Sequence, residues 1–229
     1  MSATTLQTAP RRTRDPAATQ QSILDAAFVE FSDNGLSGAR VDAIAARAGT
    51  TVRMIYYYFA SKDGLYRTVL ERGYAAIRAA EGELGLDKLP PVAAIRRLTG
   101  FVFDYEEANP RFVRLVSIEN IHRAAYIARS ETIRRLNETV IESIGAILER
   151  GKLEAVFRDD AEAIDVHLLM TGFCFFRISN RYTLATVFGK DPISPELRER
   201  HRRMIVDSVL GYLAVRERGV SGPDVDWLD

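Results

Sequence analysis

One segment, ARVDAIAARAGTTVRMIYYYFASK from Ala39 to Lys62, constrains the fold of this chain more than any other stretch. Apolar residues recur in its first half at the spacing of one helical face, and Gly49 then ends that helix. Thr51 can cap a second helix, predicted over Val52–Phe59, by accepting its first free backbone amides. Two short helices joined by so tight a turn predict a helix-turn-helix. The apolar face of the first helix consists of Val41, Ile44, Ala45 and Ala48.

The second helix has two chemically different faces. Ile55 and Phe59 are four residues apart and can pack inward. The tyrosines at 56–58 cannot all be buried on so short a helix, and phenolic hydroxyls bind phosphate oxygens well, so they indicate a ligand surface. Ser61 can cap a third helix starting at Lys62, which places a cation beside free amides, a favoured anion site. The alternative, that the tyrosines belong to a small helical core, stays open.

The stretch from Val41 to Lys62 resembles the DNA-binding domain of the TetR family of transcriptional regulators, including its aromatic run and its Phe59-x-Ser61-Lys62 ending. The resemblance implies phosphate binding by Thr51, Tyr56, Tyr58 and Lys62. It also implies that Val52, Arg53 and Tyr57 face the bases, with Arg40 and Val41 close to the edge of the major groove. Arg53 is the candidate for a guanine contact, because its guanidinium group can donate hydrogen bonds to both acceptor atoms of that base. Thr50, Val52 and Tyr57 depart from the commonest family pattern, and the last two leave the base sequence open.

Composition sets wider bounds on the class of protein. The 229 residues are 47% hydrophobic and 27% charged with no net charge, which is typical of a globular protein. Up to Lys62, seven basic residues face five acidic ones, a mildly positive balance that gives weak support to DNA binding. The single cysteine, Cys174, excludes an intramolecular disulfide and suits a reducing compartment. Without an apolar run of about 18 residues, we expect a cytoplasmic protein that does not associate with membranes.

The domain organisation follows from breaks in the pattern. Residues 1–14 carry Arg11, Arg12 and Arg14 without apolar periodicity, and are predicted to be a disordered basic arm that either contacts DNA or stays solvated. Asp15-Pro16 starts a helix that Gly35 ends. The predicted domains are a helix-turn-helix DNA-binding domain at 15–62 and a helical effector-binding and dimerisation domain at 63–229.

The helix that starts at Lys62 is followed by five more predicted helical segments, and no segment alternates like a strand for long. The predicted fold class is all-α, with an N-terminal three-helix helix-turn-helix domain followed by a helical bundle that is large enough to enclose a cavity. The predicted breaks are Gly85 to Pro91, Asn109-Pro110, Arg123 to Arg129, Gly151 to Arg158, and Gly189 to Pro195.

The last two predicted helices have extensive apolar surfaces, which indicate contact with a second subunit. The stretch from Ile164 to Phe188 is apolar nearly all round, and a second apolar stripe follows the Ser194-Pro195 cap. Two such helices per subunit would form a four-helix dimer interface, which the resemblance favours; the alternative is that both belong to the monomer core. A two-fold dimer would bind a near-palindromic site. The predicted interface residues are Leu169, Phe173, Met204, Ile205, Val209 and Tyr212.

Polar groups set among aromatic ones are the candidates for an effector pocket. They are Tyr105, Asn120, His122, Arg123, His167, Phe173, Phe176, Arg177 and Asn180. A cavity lined by rings and a few polar groups suits a small aromatic or heteroaromatic acid. His122 could equally be a structural histidine, and Arg177 or Arg181 could equally pair with acidic residues across the dimer.

Enzyme chemistry finds little support in the sequence. Glu119 and His122 have the Glu-x-x-His spacing of helical di-iron bundles, but those need two such pairs and two further glutamates. The common motifs of nucleophilic, phosphate-binding and zinc enzymes are missing. We therefore expect no catalytic residues, no metal and no cofactor.

The predicted function is a ligand-responsive repressor that binds its operator as a homodimer and is released by a small-molecule effector. The alternatives are activator action, a metal-dependent helical enzyme and an architectural DNA-coating protein.

Overall fold

A computed structural model describes residues 15–215 of the chain, and the predicted basic arm at 1–14 lies outside them. The described residues form ten α-helices and two short 3-10 helices, at Leu86–Lys88 and Ile127–Arg129. Only an isolated bridge between Phe157 and Ala214 has β geometry in this range, which confirms the all-α prediction. The α-helices are α1 (Pro16–Gly38), α2 (Val41–Ala48), α3 (Val52–Phe59), α4 (Lys62–Gly82), α5 (Pro91–Ala108), α6 (Pro110–Ile121), α7 (Glu131–Leu153), α8 (Ala163–Ser179), α9 (Arg181–Phe188) and α10 (Pro195–Leu213).

The chain divides into two compact units, the first ending at Val69 and the second beginning at Leu70. The division falls inside α4, which belongs to both units. The sequence places the domain boundary at the start of this helix, after Lys62, and that boundary stays a prediction. None of the helices in residues 15–215 is long and apolar enough to cross a bilayer.

In the first unit, α1 braces the helix-turn-helix. Asp15 caps α1 by accepting a hydrogen bond from the amide of Ala17 at 3.0 Å, as the Asp-Pro pair predicts. The predicted stop at Gly35 is a single non-helical residue, with φ of 66°, inside a longer helix. The unit's core includes an edge-to-face pair of buried rings, Phe31 and Tyr66, with centroids 5.0 Å apart.

A buried carboxylate joins α1 to the start of α2. Glu30 Oε1 accepts hydrogen bonds from the side chain of Asn34 and from the backbone amide of Arg40, both at 3.1 Å. The Arg40 amide precedes the first turn of α2, where backbone donors lack helical partners. Glu30 therefore fixes where α2 begins, and the negative charge at this helix end is favourable.

In the second unit, α5 lies centrally and packs against α6, α7, α8 and α10. Its apolar stripe recurs at helical spacing and is buried along most of its length. The shared core includes Ile95, Leu98, Val102, Phe103, Ile144, Leu148, Val166, Met170, Ile205 and Val209.

The predicted helix from Ile164 to Phe188 is wrong in one respect, because it is two helices. Asn180 separates α8 from α9 and adopts non-helical dihedrals, with φ of −103° and ψ of 13°. Its side chain donates to Ser179 Oγ at 2.9 Å, and such short polar side chains compete with helical hydrogen bonding. The apolar character of α8 is explained by its packing against four helices, α5, α6, α7 and α10.

Candidate DNA-binding surface and effector site

The turn between α2 and α3 has the predicted construction. Gly49 ends α2 with φ of 62° and ψ of 38°, the left-handed conformation that glycine adopts without steric cost. Thr51 caps α3, since its Oγ1 accepts a hydrogen bond from the amide of Met54 at 3.3 Å. The bounds of both helices therefore agree with those predicted from the sequence.

The two faces of α3 separate as predicted. Ile55 and Phe59 are buried, whereas Arg53 is exposed and Tyr57 is 76% exposed. Tyr56 is 45% exposed, so the tyrosine run is not a core element as a whole. The middle of α3 thus presents a cation and two phenols to solvent.

The remaining candidates on this surface differ in exposure. Val52 and Tyr58 are half-buried, and the ring of Tyr58 meets that of Tyr57 edge-on, with centroids 5.2 Å apart. Val41 is half-buried at the start of α2, and Arg40 is exposed but paired with Asp42, Nη2 to Oδ2, at 2.6 Å. The hydrogen bond with Asp42 raises the pKa of Arg40, so a DNA phosphate would have to replace this partner.

The start of α4 combines a cap, a cation and a close backbone approach. Ser61 Oγ accepts a hydrogen bond from the amide of Gly64 at 2.9 Å, as predicted for an N-cap, and Lys62 is the first helical residue. A Cβ atom at Gly64 would overlap the carbonyl oxygen of Phe59, so only glycine fits there without movement. The helix N-terminus and Lys62 together can attract a phosphate.

The predicted effector residues do not come together in one place. Asn120, His122 and Arg123 are exposed at the end of α6, where the backbone turns away with φ of 59° at Arg123. Phe176 is 54% exposed on α8. The expectation that these four residues line an enclosed pocket is corrected, because the sequence pattern did not reveal that the end of α6 is exposed or which side of α8 faces outward.

Three other predicted residues have structural partners within the chain. Arg177 is 2% exposed; its Nη2 donates to Glu107, its Nη1 donates to the carbonyl of Pro192 at 3.0 Å, and its guanidinium lies 3.9 Å from the ring centre of Phe103. The alternative that Arg177 pairs across a dimer is therefore wrong. Phe173 packs on the core, and Asn180 occupies the break after α8.

Tyr105 and His167 both lie within the electrostatic reach of Arg78, which sequence reasoning missed together with Glu81. Arg78 and Glu81 lie on the face of α4 that also carries Tyr74, at spacings of four and three residues. Burial lowers the pKa of His167, and the Arg78 charge lowers it further. Burial raises the pKa of Tyr105, against the opposing effect of Arg78. The stripe through 74, 78 and 81 is the signal that could have identified this cluster.

The predicted dimer residues fall into two groups. Ile205 and Val209 are 3% and 0% exposed in the core of a single chain, so the expectation that they meet a partner is corrected. Phe173 and Tyr212 pack mostly on the same core. Leu169 and Met204 are exposed, as are the neighbouring Ile164, Leu168 and Phe176 on α8. An apolar stripe on α10 was correctly inferred, but sequence alone does not say which element covers it.

A surface concavity of about 600 Å³ lies along the first half of α7, and none of the predicted effector residues is among those that line it. Its apolar lining includes Ile127, Ile133 and Ile141, and its charged rim includes Arg134, which pairs with Glu131 and Glu138. The Arg134 side chain on this rim is therefore already paired with two carboxylates.

The Glu119 and His122 pair is not arranged as a metal site. Glu119 is buried, and its Oε2 accepts hydrogen bonds from the amides of Tyr126 and Ile127 at 3.1 and 3.2 Å. His122 is exposed beyond the end of α6. Over residues 15–215, no group of three or more histidine, cysteine, aspartate and glutamate side chains could hold a metal ion.

Comparison with known proteins connects both units to one family. Residues 23–69 match bacterial regulatory proteins of the tetR family, and residues 91–209 match the tetracyclin repressor-like C-terminal domain. The HTH-type transcriptional repressor NicS of Pseudomonas putida KT2440 is 36% identical over 180 residues, which cover 79% of this chain and 85% of that protein. The HTH-type transcriptional repressor SCO4008 of Streptomyces coelicolor is 31% identical over 157 residues, covering 69% and 77% of the two chains.

A solved structure also resembles this fold. The transcriptional regulator SCO4942 from Streptomyces coelicolor matches with a TM-score of 0.65 and 25% identity, over 85% of this chain and 98% of that one. The two family matches, the capped recognition helix and the all-helical second unit agree with one another. The chain belongs to the TetR family of transcriptional regulators, and is a DNA-binding regulator, not an enzyme.

Proposed function

We propose that this protein is a homodimeric repressor that binds a near-palindromic operator and is released by a small aromatic or heteroaromatic acid. The observation that carries the DNA-binding part is the outward face of α3, where Arg53 and Tyr57 are exposed between two capped helix starts. Arg53 would read a guanine, and Lys62 with Thr51, Tyr56 and Tyr58 would bind phosphates. A repressor of this kind works in the cytoplasm, where bacterial DNA is.

The proposed dimer uses the exposed apolar face of α8 together with the exposed side of α10. Leu168 is 60% exposed, Leu169 and Phe176 lie on the same helix, and Met204 is exposed on α10. Large exposed apolar side chains clustered in this way mark interaction surfaces. A two-fold contact of these faces would be self-complementary and would present one recognition helix to each half-site.

Release by an effector follows from a population shift. An effector weakens DNA binding only as far as it prefers a conformation in which the two recognition helices are wrongly spaced. A hundredfold loss of affinity requires a preference of about 2.7 kcal/mol. Aromatic side chains beside the buried Arg78 support an aromatic acid as the effector class.

The test of the DNA function is selection of randomised duplex DNA on the purified full-length protein at about 150 mM salt, followed by sequencing. An enriched inverted repeat is expected. Enrichment of a single half-site would contradict the homodimer, and no enrichment from a folded protein would contradict sequence-specific regulation.

The proposed dimer is tested by sedimentation of Leu168→Asp and Phe176→Asp variants. Each places a charge on the exposed apolar face without disturbing the core, so a folded monomer is expected. The control is Lys190→Asp, because Lys190 is an exposed polar residue in the loop after α9. If both α8 variants remain dimers, the interface does not include this face of α8.

A further inference from the structure

Arg78 and Glu81 are a buried ion pair whose hydrogen-bonding capacity is largely unused. Arg78 Nη1 lies 2.9 Å from Glu81 Oε2, and the two side chains are only 10% and 9% exposed. The contact lacks the alignment of a hydrogen bond. Arg78 Nε and Nη1 and Glu81 Oε1 are buried, and none of them has a hydrogen-bond partner in the part of the chain that the structure describes. Leaving such groups unsatisfied is costly, so a buried set of three calls for an explanation.

The surroundings of the pair are aromatic. Tyr74 precedes Arg78 by one helical turn, and its ring meets that of Phe112 edge-on, with centroids 5.3 Å apart. Tyr105 on α5 and His167 on α8 lie within the electrostatic reach of Arg78, and the ring of Tyr105 is 5.4 Å from that of Phe101. Flat apolar surfaces around a few polar groups are typical of sites for small aromatic ligands.

A second arginine cluster in the same unit shows what a purely structural arrangement looks like. Asp104 accepts hydrogen bonds from Arg198 and Arg202, and Glu107 accepts from Arg198 and Arg177. Each of these carboxylates therefore has two arginine partners. By contrast, Arg78 and Glu81 have one contact between them, and it is poorly aligned.

We propose that Arg78 and Glu81 form the polar end of the effector site, where Arg78 binds the carboxylate of an aromatic acid between the rings of Tyr74 and Tyr105. This inference rests on the proposed function and names the binding residues of the effector. A carboxylate would supply acceptors to the unpaired nitrogens of Arg78, and its negative charge would be compensated there. Glu81 then donates a hydrogen bond from its protonated form instead of repelling the ligand.

The charge state of Glu81 supports this arrangement. Burial raises its pKa from 4.5 to about 7, although Arg78 opposes the shift. A second carboxylate nearby would raise the pKa further, so acid binding near neutral pH would be accompanied by proton uptake. The other titratable groups around the pair are Tyr74 on α4, Tyr105 on α5 and His167 on α8, with Glu119 on α6 acting on Tyr74.

The position of Arg78 also connects the site to DNA binding. Arg78 and Lys62 belong to the same continuous helix, α4. A ligand that pulls Arg78 towards its carboxylate acts directly on the helix that begins with a proposed phosphate contact.

The binding test is calorimetry on the full-length protein with benzoate and pyridine-3-carboxylate, each compared with its neutral amide. We expect at least one acid to bind at least tenfold more tightly than its amide and to release DNA carrying the selected inverted repeat. Arg78→Met should weaken binding of the acid at least tenfold, while the matched control Arg96→Met, an exposed arginine on α5, leaves it unchanged. Equal binding of acid and amide, or full affinity in a folded Arg78→Met variant, would overturn the site.

Proton uptake supplies a test that does not depend on the folding of Arg78→Met. Calorimetry at pH 7.5 in two buffers of different ionisation enthalpy should detect uptake on acid binding. The uptake should disappear in Glu81→Gln, which keeps the shape of the side chain, and persist in His167→Gln. Uptake that persists in Glu81→Gln would overturn the role of Glu81.

The two proposals fail in different ways. If an inverted repeat is selected but none of the acids binds, the effector site is wrong and the repressor stands. If the acids bind at Arg78 but no inverted repeat is selected, the site stands and the DNA function fails.

Discussion

The two units of this protein place their functional groups in opposite settings. In the helix-turn-helix unit, Arg53 and Tyr57 are exposed, and the helix that carries them is fixed by a cap between residues three positions apart, Thr51 and Met54. In the helical unit, Arg78 and Glu81 are buried, and Tyr105 of α5 and His167 of α8 lie within the electrostatic reach of Arg78. A surface that binds a large partner can be built from local contacts, whereas a site for a small molecule needs enclosure by distant segments.

The largest effect is expected from a buried arginine of the helical unit. Arg177→Met removes the hydrogen bonds to Glu107 and Pro192 in the interior, and should lower the free energy of unfolding by about 3 kcal/mol. The matched control is Arg181→Met, because the Arg181–Asp191 pair is partly exposed and should contribute less than about 1 kcal/mol. Denaturant unfolding measures both, and equal losses would show that burial does not distinguish the two pairs.

The next largest effect is expected in the pH dependence of stability, to which Glu81 contributes. Its pKa of about 7 in the folded chain lies above its ordinary value of 4.5, so the protonated form favours folding. This contribution is fully present below pH 4.5 and is lost as the pH rises through 7, by about 3 kcal/mol. Unfolding free energies measured from pH 4.5 to 8 should therefore fall less steeply in Glu81→Gln. An unchanged slope would contradict the burial of Glu81 and its raised pKa.

The exposed surface of α3 should affect DNA binding without affecting stability. Arg53→Ala should cost about 1 to 3 kcal/mol of binding free energy and relax the preference at one base pair, because its contact is to a base. Lys62→Ala should weaken binding to all sequences alike and reduce the salt dependence. Competition binding with single-base variants of the operator separates the two, and an unchanged preference in Arg53→Ala would contradict its role in reading bases.

The smallest effect is expected from the local cap of α4. Ser61→Ala removes the acceptor for the Gly64 amide and should cost about 1 kcal/mol of stability. Ser61→Asp keeps an acceptor and serves as the control, since aspartate caps helices as well as serine does. Thermal unfolding followed by circular dichroism compares them, and a large loss in both variants would point to a constraint beyond the cap.

The sequence predicted more of the helix-turn-helix unit than of the helical unit. The bounds of α2 and α3, the caps at Thr51 and Ser61, and the inward pair Ile55 and Phe59 were all predicted. In the helical unit, five of the six breaks after α4 were predicted, and the break at Asn180 was missed because its flanks are apolar. Arg78 was passed over because an arginine three residues before a glutamate is usually a solvated surface pair.

The sequence by itself determined the helical fold, the recognition helix and the residues this helix exposes, because these depend on contacts within one or two helical turns. Only the tertiary structure decided that Arg177 is tied to Glu107, that Val209 is internal, and that Arg78 lies among groups from α5 and α8. An apolar stripe indicates that a helix face must be covered. Which face covers it depends on packing between segments far apart in the chain, and periodicity contains no information about that pairing.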